Sequence, residues 1–335
     1  MRQITKKITT TLIIAVFACA VPASALVGQE RGLEVAENKS TPRGKKDNDQ
    51  ARAVVIPITP RMRGLKVTEP RREEDFIVLG NLIVREDGEE RKILSIRGIG
   101  NTPLALAVLI QDDVVPSVSN EIKAIGEFIR TLPKDSRVLV GYIKNGSLQV
   151  RQKFTNELDK AVKALRIPIS STSAAPYNPY IEIREGLKRF ESLPSGRRAM
   201  LVVTDGLDNS RGARSSSAGM SIDLQRAIRE AQRRSVAVYA FYAPTVTGTS
   251  YNSILVGNAQ SSLEKLTDET GGRAFIQGTT IPVSFEPFLR ELGESLFQQV
   301  AVTFLSTSSD KGFHRLEVSF ERPGVEVDYP AGYTR

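Results

Sequence analysis

The 335 residues carry 46 Lys and Arg against 38 Asp and Glu, with one His and one Cys. A single cysteine, Cys19, excludes a disulfide framework and a multi-cysteine metal centre. Basic and acidic residues read as interspersed along the chain, which speaks against a nucleic-acid partner.

Arg2, Lys6 and Lys7 precede an apolar run from Thr11 to Val21 and the small-residue ending Ala23, Ser24, Ala25. This is the layout of a secretory signal peptide over 1–25. The alternative, a membrane anchor, meets the difficulty that the run is shorter than the ~20 residues that span a bilayer. The mature chain is therefore expected to be secreted or periplasmic, with no membrane span after cleavage. It keeps 43 of the 46 basic residues and has no thiol. Residues 26–75 are rich in Lys, Arg, Glu, Asp and Pro and are expected to form a mostly disordered linker, because they bury too little apolar area to offset their ordering entropy. The β-branched stretch from Ala53 to Ile58 is the exception, a candidate strand.

Over 76–103 the runs Phe76 to Leu79, Leu82 to Arg85 and Arg91 to Ile96, with Asp87-Gly88 between the last two, predict a β-hairpin appendage. From 104 to 299 the period alternates. Leu104 to Ile110 and Met200 to Thr204 read as strands buried on both faces. Ile122, Ile125, Phe128, Ile129 and Leu132 recur at helical spacing, with Ser119 or Asn120 as cap. Further strands are expected at Val138 to Ile143, Leu148 to Val150, Val236 to Phe241 and Ala274 to Ile276. Helices are expected around Leu158 to Leu165, Ile181 to Phe190, Leu224 to Ala231, Leu263 to Leu266 and Phe285 to Phe297. This order predicts an α/β fold: a doubly wound, mostly parallel Rossmann-like sheet with helices on both faces and ligands at the carboxyl ends of its strands. The tail 300–335 reads as further β structure, completing a small β appendage with the segment before the sheet.

Leu104 to Asp113, Met200 to Gly206, Leu266 to Phe275, and the tail pieces His314 to Phe320, Arg322 to Val327 and Pro330 to Tyr333 occur in an order that resembles the von Willebrand factor type A family, in particular its secreted bacterial branch. The resemblance implies a metal-ion-dependent adhesion site made by Asp-x-Ser-x-Ser after the first strand, a Thr in a middle loop and an Asp after the fourth. A hard cation bound there takes oxygen ligands. At those positions this chain has Gln111, Asp113 and Val115, then Ala175 or Thr172, and finally Asp205. The resemblance thus implies a degenerate site, with Asp112, Asp113 and Asp205 as remaining carboxylates and at most weak Mg2+ or Ca2+ binding. The other reading of these Asp residues is that they cap helices and make turns. Gln111, Thr172, Tyr177, Asn178, Tyr180 and Asp208 are the candidate partner-binding rim, while Tyr239 and Phe241 divide evenly between rim and core.

Other motifs carry less. His314 is far in sequence from any serine in a sharp turn, so a catalytic triad is not expected. Arg197-Arg198 and Arg233-Arg234 read as solvated ends. The expected function is a non-enzymatic, adhesion-type module for an unidentified protein ligand, with no cofactor. The alternatives are a cation-dependent hydrolase built on Asp112, Asp113 and Asp205, and a structural subunit of a cell-envelope assembly.

Overall fold

The β-branched run at Ala53 to Ile58 lies inside β1 (Arg52–Met62), an 11-residue strand that extends beyond the expected one. The structure, a computed structural model, describes residues 51–62, 82–98, 102–144, 146–170, 178–245, 252–278, 284–321 and 324–335. These all belong to the compact unit Asn48–Arg335. The expected signal peptide, the linker on either side of β1 and the Phe76 to Leu79 run lie outside the described residues.

β2 (Leu82–Glu86) and β3 (Glu89–Glu90) form the expected hairpin. Asp87 and Gly88 both take positive φ, 52° and 87°, the combination that matches the right-handed twist of the flanking strands. The sequence reading is corrected at the next strand: β4 (Ile93–Arg97) leaves this hairpin and pairs with a different sheet.

The α/β unit comes next. β5 (Leu104–Gln111) is buried at every position. α1 (Ile122–Thr131) comes after a 3-10 turn and has no side-chain cap of its own, so neither Ser119 nor Asn120 plays that part. β6 (Arg137–Lys144) and the antiparallel β7 (Ser147–Thr155) make a hairpin. Next in the chain are α2 (Leu158–Lys163), α3 (Pro179–Lys188) and the fully buried β8 (Arg197–Thr204). α4 (Ile222–Arg234) starts at Ser221, whose hydroxyl accepts from Leu224 N at 3.2 Å, and stops at Ser235 in the left-handed region. β9 (Ala237–Tyr242), α5 (Ser253–Asp268), β10 (Ala274–Phe275) and α6 (Glu286–Gln298) complete the unit. Its strand order is β10-β9-β8-β5-β6-β7, parallel except for β7. That is the doubly wound order with the switch point between β5 and β8. The two faces of the sheet carry separate apolar layers, one against α1 and α6, the other against α3 and α4.

β11 (Val300–Ser306), β12 (Phe313–Phe320), β13 (Val325–Asp328) and β14 (Gly332–Thr334) then join the first strands. One antiparallel sheet runs β13-β1-β11-β4 and the other β14-β12-β2-β3. Val54, Ile56, Val302 and Phe304 from the first share a core with Val84, Leu316, Val318 and Tyr333 from the second. The appendage is thus a two-sheet sandwich.

Arg197 and Arg198 correct the sequence reading. Both are buried, with 1% and 7% of their surface exposed. Arg197 Nε donates to Gln299 O at 2.7 Å, and its other nitrogens donate to the carbonyls of Leu296 and Thr102. The guanidinium caps the end of α6 where the chain leaves for β11. Burial pulls its pKa down to about 10, so it stays charged at neutral pH. Arg198 similarly donates to Arg234 O and Leu193 O.

His314 lies in the sandwich, its Nδ1 2.8 Å from Asp87 Oδ2, stacked on the Tyr333 ring. Burial lowers the His314 pKa, but the Asp87 hydrogen bond, the Asp310 carbonyl and the carboxylate charge outweigh it and raise the value above 6.5. Burial raises the Asp87 pKa, and the bonds from His314 and Arg315 outweigh that and hold it below 3.8. The raised histidine stabilises fully below its unfolded pKa, and this is lost as pH rises through the folded value. The lowered aspartate stabilises above its unfolded pKa, and this is lost as pH falls through the folded value. The advantage of the protein over His314→Gln in thermal midpoint is therefore expected to be greatest between about pH 4 and 6.5 and to shrink on both sides. An advantage that grows through pH 8 would contradict it.

Candidate functional site

The carboxyl ends of β5 and β8 meet at the switch point, and the side chains there are tied to each other. Gln111 ends β5 and is 3% exposed; its Oε1 accepts from the Thr204 hydroxyl and from Asp205 N at 3.4 Å. Asp205 is fully buried: Oδ1 accepts from Leu207 N at 3.1 Å and Oδ2 from the Thr245 hydroxyl at 3.2 Å. Thr245 is held by its bridge to Val114. Burial pushes the Asp205 pKa up to about 7; the Asp113 charge adds to this, and the bonds from Leu207, Thr245 and Gln111 work against it. Next to it Gly206 takes φ 72°, and a Cβ there would sit 2.4 Å from Leu263 Cγ, so the turn under the site accepts only glycine.

Asp112 and Asp113 part company. The Asp112 carboxylate is held bidentately by Arg166, at 2.6 and 3.1 Å, accepts from Ile169 N at 3.0 Å, and has Lys144 Nζ at 3.7 Å. Burial raises the Asp112 pKa, but the Arg166 and Ile169 bonds and the two basic charges hold it below the ordinary carboxylate value. The Arg166 guanidinium also lies over the Tyr142 ring, 4.0 Å from its centroid. Asp112 is therefore neutralised by the chain's own cations and is not grouped with Asp205. Asp113 stays on the Asp205 side, 7% exposed, its Oδ2 without a hydrogen-bond partner among the described residues.

The cation that the resemblance implies would take six or more oxygens if Ca2+ and a near-ideal octahedron if Mg2+. Of the three candidate ligands, Asp112 is paired with Arg166, and each Asp205 oxygen already accepts one hydrogen bond, from Leu207 N and from the Thr245 hydroxyl. Gln111 is spent on Thr204, and Val115 has no side-chain oxygen. Among the described residues no group of three or more His, Cys, Asp or Glu side chains is arranged to hold a metal ion. One bare Asp113 oxygen is not a coordination shell, and the donors among the described residues do not fit the ion.

The candidate rim is corrected at three positions. Tyr180 is fully buried and donates to Gly206 O at 2.5 Å. Asp208 is 5% exposed and accepts from Ser221 Oγ at 2.6 Å and from Ser210. Gln111 is the strand tie described above. Asn178 caps α3 by accepting from Tyr180 N and donates to Asp223 Oδ2 at 2.9 Å. Thr172 and Tyr177 lie outside the described residues. Tyr239 and Phe241 are core. Tyr180 and Asp208 have their polar atoms captured by a turn and a cap, and Gln111 by the end of the neighbouring strand, so all three side chains turn inward.

Several large apolar side chains face solvent at this end. Ile167 and Ile169 lie in the loop that meets Asp112, and Ile181 in the first turn of α3. Met220 precedes the Ser221 cap of α4, Ile222 opens that helix, and Ile254 lies in the first turn of α5; exposures run from 40% to 70%. They are six of the eight large hydrophobic residues exposed among the described residues. Sequence reasoning missed them, although Ile222 and Ile254 fall off the inward stripe of their helices, which was the available signal.

A doubly wound sheet with an antiparallel β7 edge, helices on both faces and a largely internalised cluster at the β5–β8 switch point defines a von Willebrand factor type A-like fold, here carrying a β-sandwich. No protein-family model and no curated protein matches the sequence. Among solved structures the chain is similar to a von Willebrand factor type A protein from Catenulispora acidiphila (10% identity, TM-score 0.42, 73% of this chain and 74% of that one). It is also similar to the conserved hypothetical protein BatB from Bacteroides thetaiotaomicron (14%, 0.37, 58% and 97%). A third is the manganese-loaded TRAP protein of Plasmodium vivax (10%, 0.39, 76% and 100%). These likenesses concern the fold alone. Among the described residues no helix is long and apolar enough to cross a membrane.

Proposed function

We propose that this protein is an exported, non-enzymatic binding module that grips a protein ligand at the carboxyl-end loops of its sheet, with little or no dependence on metal. The observation that carries the reading is the set of exposed apolar side chains there, Ile167, Ile169, Ile181, Met220, Ile222 and Ile254. Exposed apolar side chains gathered at one end of a domain favour association, since covering them removes apolar area from water. The non-enzymatic part is supported by chemistry that is tied down: His314 is held by Asp87 in the sandwich, and Asp112 by Arg166. The low metal dependence is supported by Asp112, which is paired with Arg166, and by the absence among the described residues of a group of three or more His, Cys, Asp or Glu side chains arranged to hold a metal ion.

The test is capture of envelope proteins by the mature protein, compared with the double variant Ile222→Asp, Ile254→Asp. The partner retained by the parent is expected to bind the variant at least about tenfold more weakly, the effect of losing about 1.4 kcal/mol of apolar contact. Capture is expected to survive a chelator, and the thermal midpoint to stay within about 1 °C of its value without chelator, because a ligand stabilises only through binding the folded state. A midpoint that falls by several degrees in chelator and recovers with Mg2+ would overturn the metal-independent reading. Capture unchanged in the double variant would remove the apolar face from the interface.

A further inference from the structure

Charge is not spread evenly along this chain. Between residues 130 and 166 nine basic residues stand against three acidic ones, so this stretch carries six of the eight excess positive charges of the whole sequence. The expectation of evenly interspersed charge is corrected by this stretch. The fold gathers it into one flank, β6, β7 and α2. The three acids do little to neutralise it: Asp159 pairs with Arg130 and Glu157 with Lys160. Arg137, Arg151, Lys153 and Lys163 are exposed and have no acidic partner within 4 Å among the described residues.

The same flank ends the sheet. β7 has β6 on one side and, among the described residues, no strand on the other. Its register with β6 is regular from Ser147 opposite Lys144 to Val150 opposite Gly141, then shifts on either side of Val140. Along β7 exposed residues alternate with half-buried ones. Ser147, Gln149, Arg151 and Lys153 are exposed, while Leu148, Val150 and Phe154 pack partly against the layer beneath α3. A strand added beside β7 would meet apolar surface on one face and positive charge on the other, because side chains alternate across a strand. The irregular pairing leaves Arg151 without a partner residue on β6, and a bulge of this kind re-aims the side chain it carries.

We propose that the β7 edge is a second docking site, independent of the carboxyl-end face, and that its occupant is an extended acidic polypeptide segment with apolar and acidic side chains in alternation, added as a strand along Ser147–Val150 with its acidic residues continuing toward Arg151 and Lys153. Charge complementarity selects this occupant. A second copy of the chain is disfavoured, because two edges of the same sign repel. Lysine, arginine and a bulge also blunt an edge against self-pairing, so the experiment must separate an edge that only repels from one that also receives.

The probe is a synthetic ten-residue peptide alternating valine and glutamate, titrated against the mature protein by fluorescence anisotropy. Saturable binding is expected, weakened at least tenfold by Arg151→Glu with Lys153→Glu, and weakened likewise when the peptide amides facing the edge are N-methylated. A valine–lysine peptide is expected not to bind. Both substituted residues are exposed, and the circular dichroism of the variant checks that it folds. Binding that survives N-methylation would overturn strand addition. Absence of peptide binding would overturn the site, leaving β7 a protected edge. Binding to phosphatidylglycerol vesicles in place of the peptide would overturn it in favour of a lipid surface. None of these results bears on the Ile222 and Ile254 face, so the two readings fail separately.

Discussion

Arg197→Ala is expected to lower stability by about 3–5 kcal/mol and the thermal midpoint by roughly 10 °C. The side chain is 1% exposed and donates to three carbonyls, those of Leu296, Gln299 and Thr102. Removing it strands buried acceptors at about 1–3 kcal/mol each, partly offset where water enters, and leaves a cavity. Arg197→Met restores volume without donors and is expected to recover little. Arg197→Lys keeps the charge but loses the planar fork, and is expected to fall between. Urea denaturation of the three variants checks the order, and a shift under about 1 kcal/mol for alanine would show that the carbonyls find other donors.

Gly272→Ala is expected to be more damaging still. A Cβ there would lie 1.9 Å from Val238 O and 2.5 Å from Val238 C, both backbone atoms of β9. No rotamer relieves a backbone overlap, so either β9 moves or the α5–β10 connection does. The loss is expected to exceed about 4 kcal/mol, the range in which single changes abolish folding. Gly257, exposed on α5, meets nothing within 4 Å. Gly257→Ala is expected to stabilise by about 0.5–1 kcal/mol through helix propensity. Soluble yield and urea midpoints of the pair check the contrast, and a well-folded Gly272→Ala would refute the close approach.

The sheet was legible because its signal is local. Leu104 to Ile110 and Met200 to Thr204 are apolar at nearly every position, and a strand buried on both faces has no other composition available. The helices of its faces show through Ile125, Phe128 and Ile129, or Leu224, Ala227 and Ile228, at helical spacing. The site was less legible because its partners are distant. Nothing near Asp112 announces that Arg166, 54 residues on, will take its carboxylate. Nothing near Arg197 announces carbonyls about a hundred residues away. Tyr180 is different, since a local rule was available: Asn178 at the cap and Pro179 at the first helical position make Tyr180 a first-turn residue, not a loop residue. The side chain then turns inward with the helix.

The sandwich has a consequence for how the chain folds. β1 pairs with β11, so Arg52 lies opposite Ser306, and β2 pairs with β12, so Leu82 lies opposite Phe320. Each ladder joins segments separated by more than 200 residues, with the whole α/β unit between them. Closing so long a loop costs entropy that a short β ladder alone repays poorly. Once the sheet and its helices have condensed, the two flanks emerge close together and the loop is in effect already short. The sandwich is therefore expected to form late, after the ribosome has delivered β12 and β14. Until then β1 and β2 stand without their partners, their valines and isoleucines open to water. That interval is when the chain is most exposed to proteases and to aggregation, and delivery of β12 and β14 closes it.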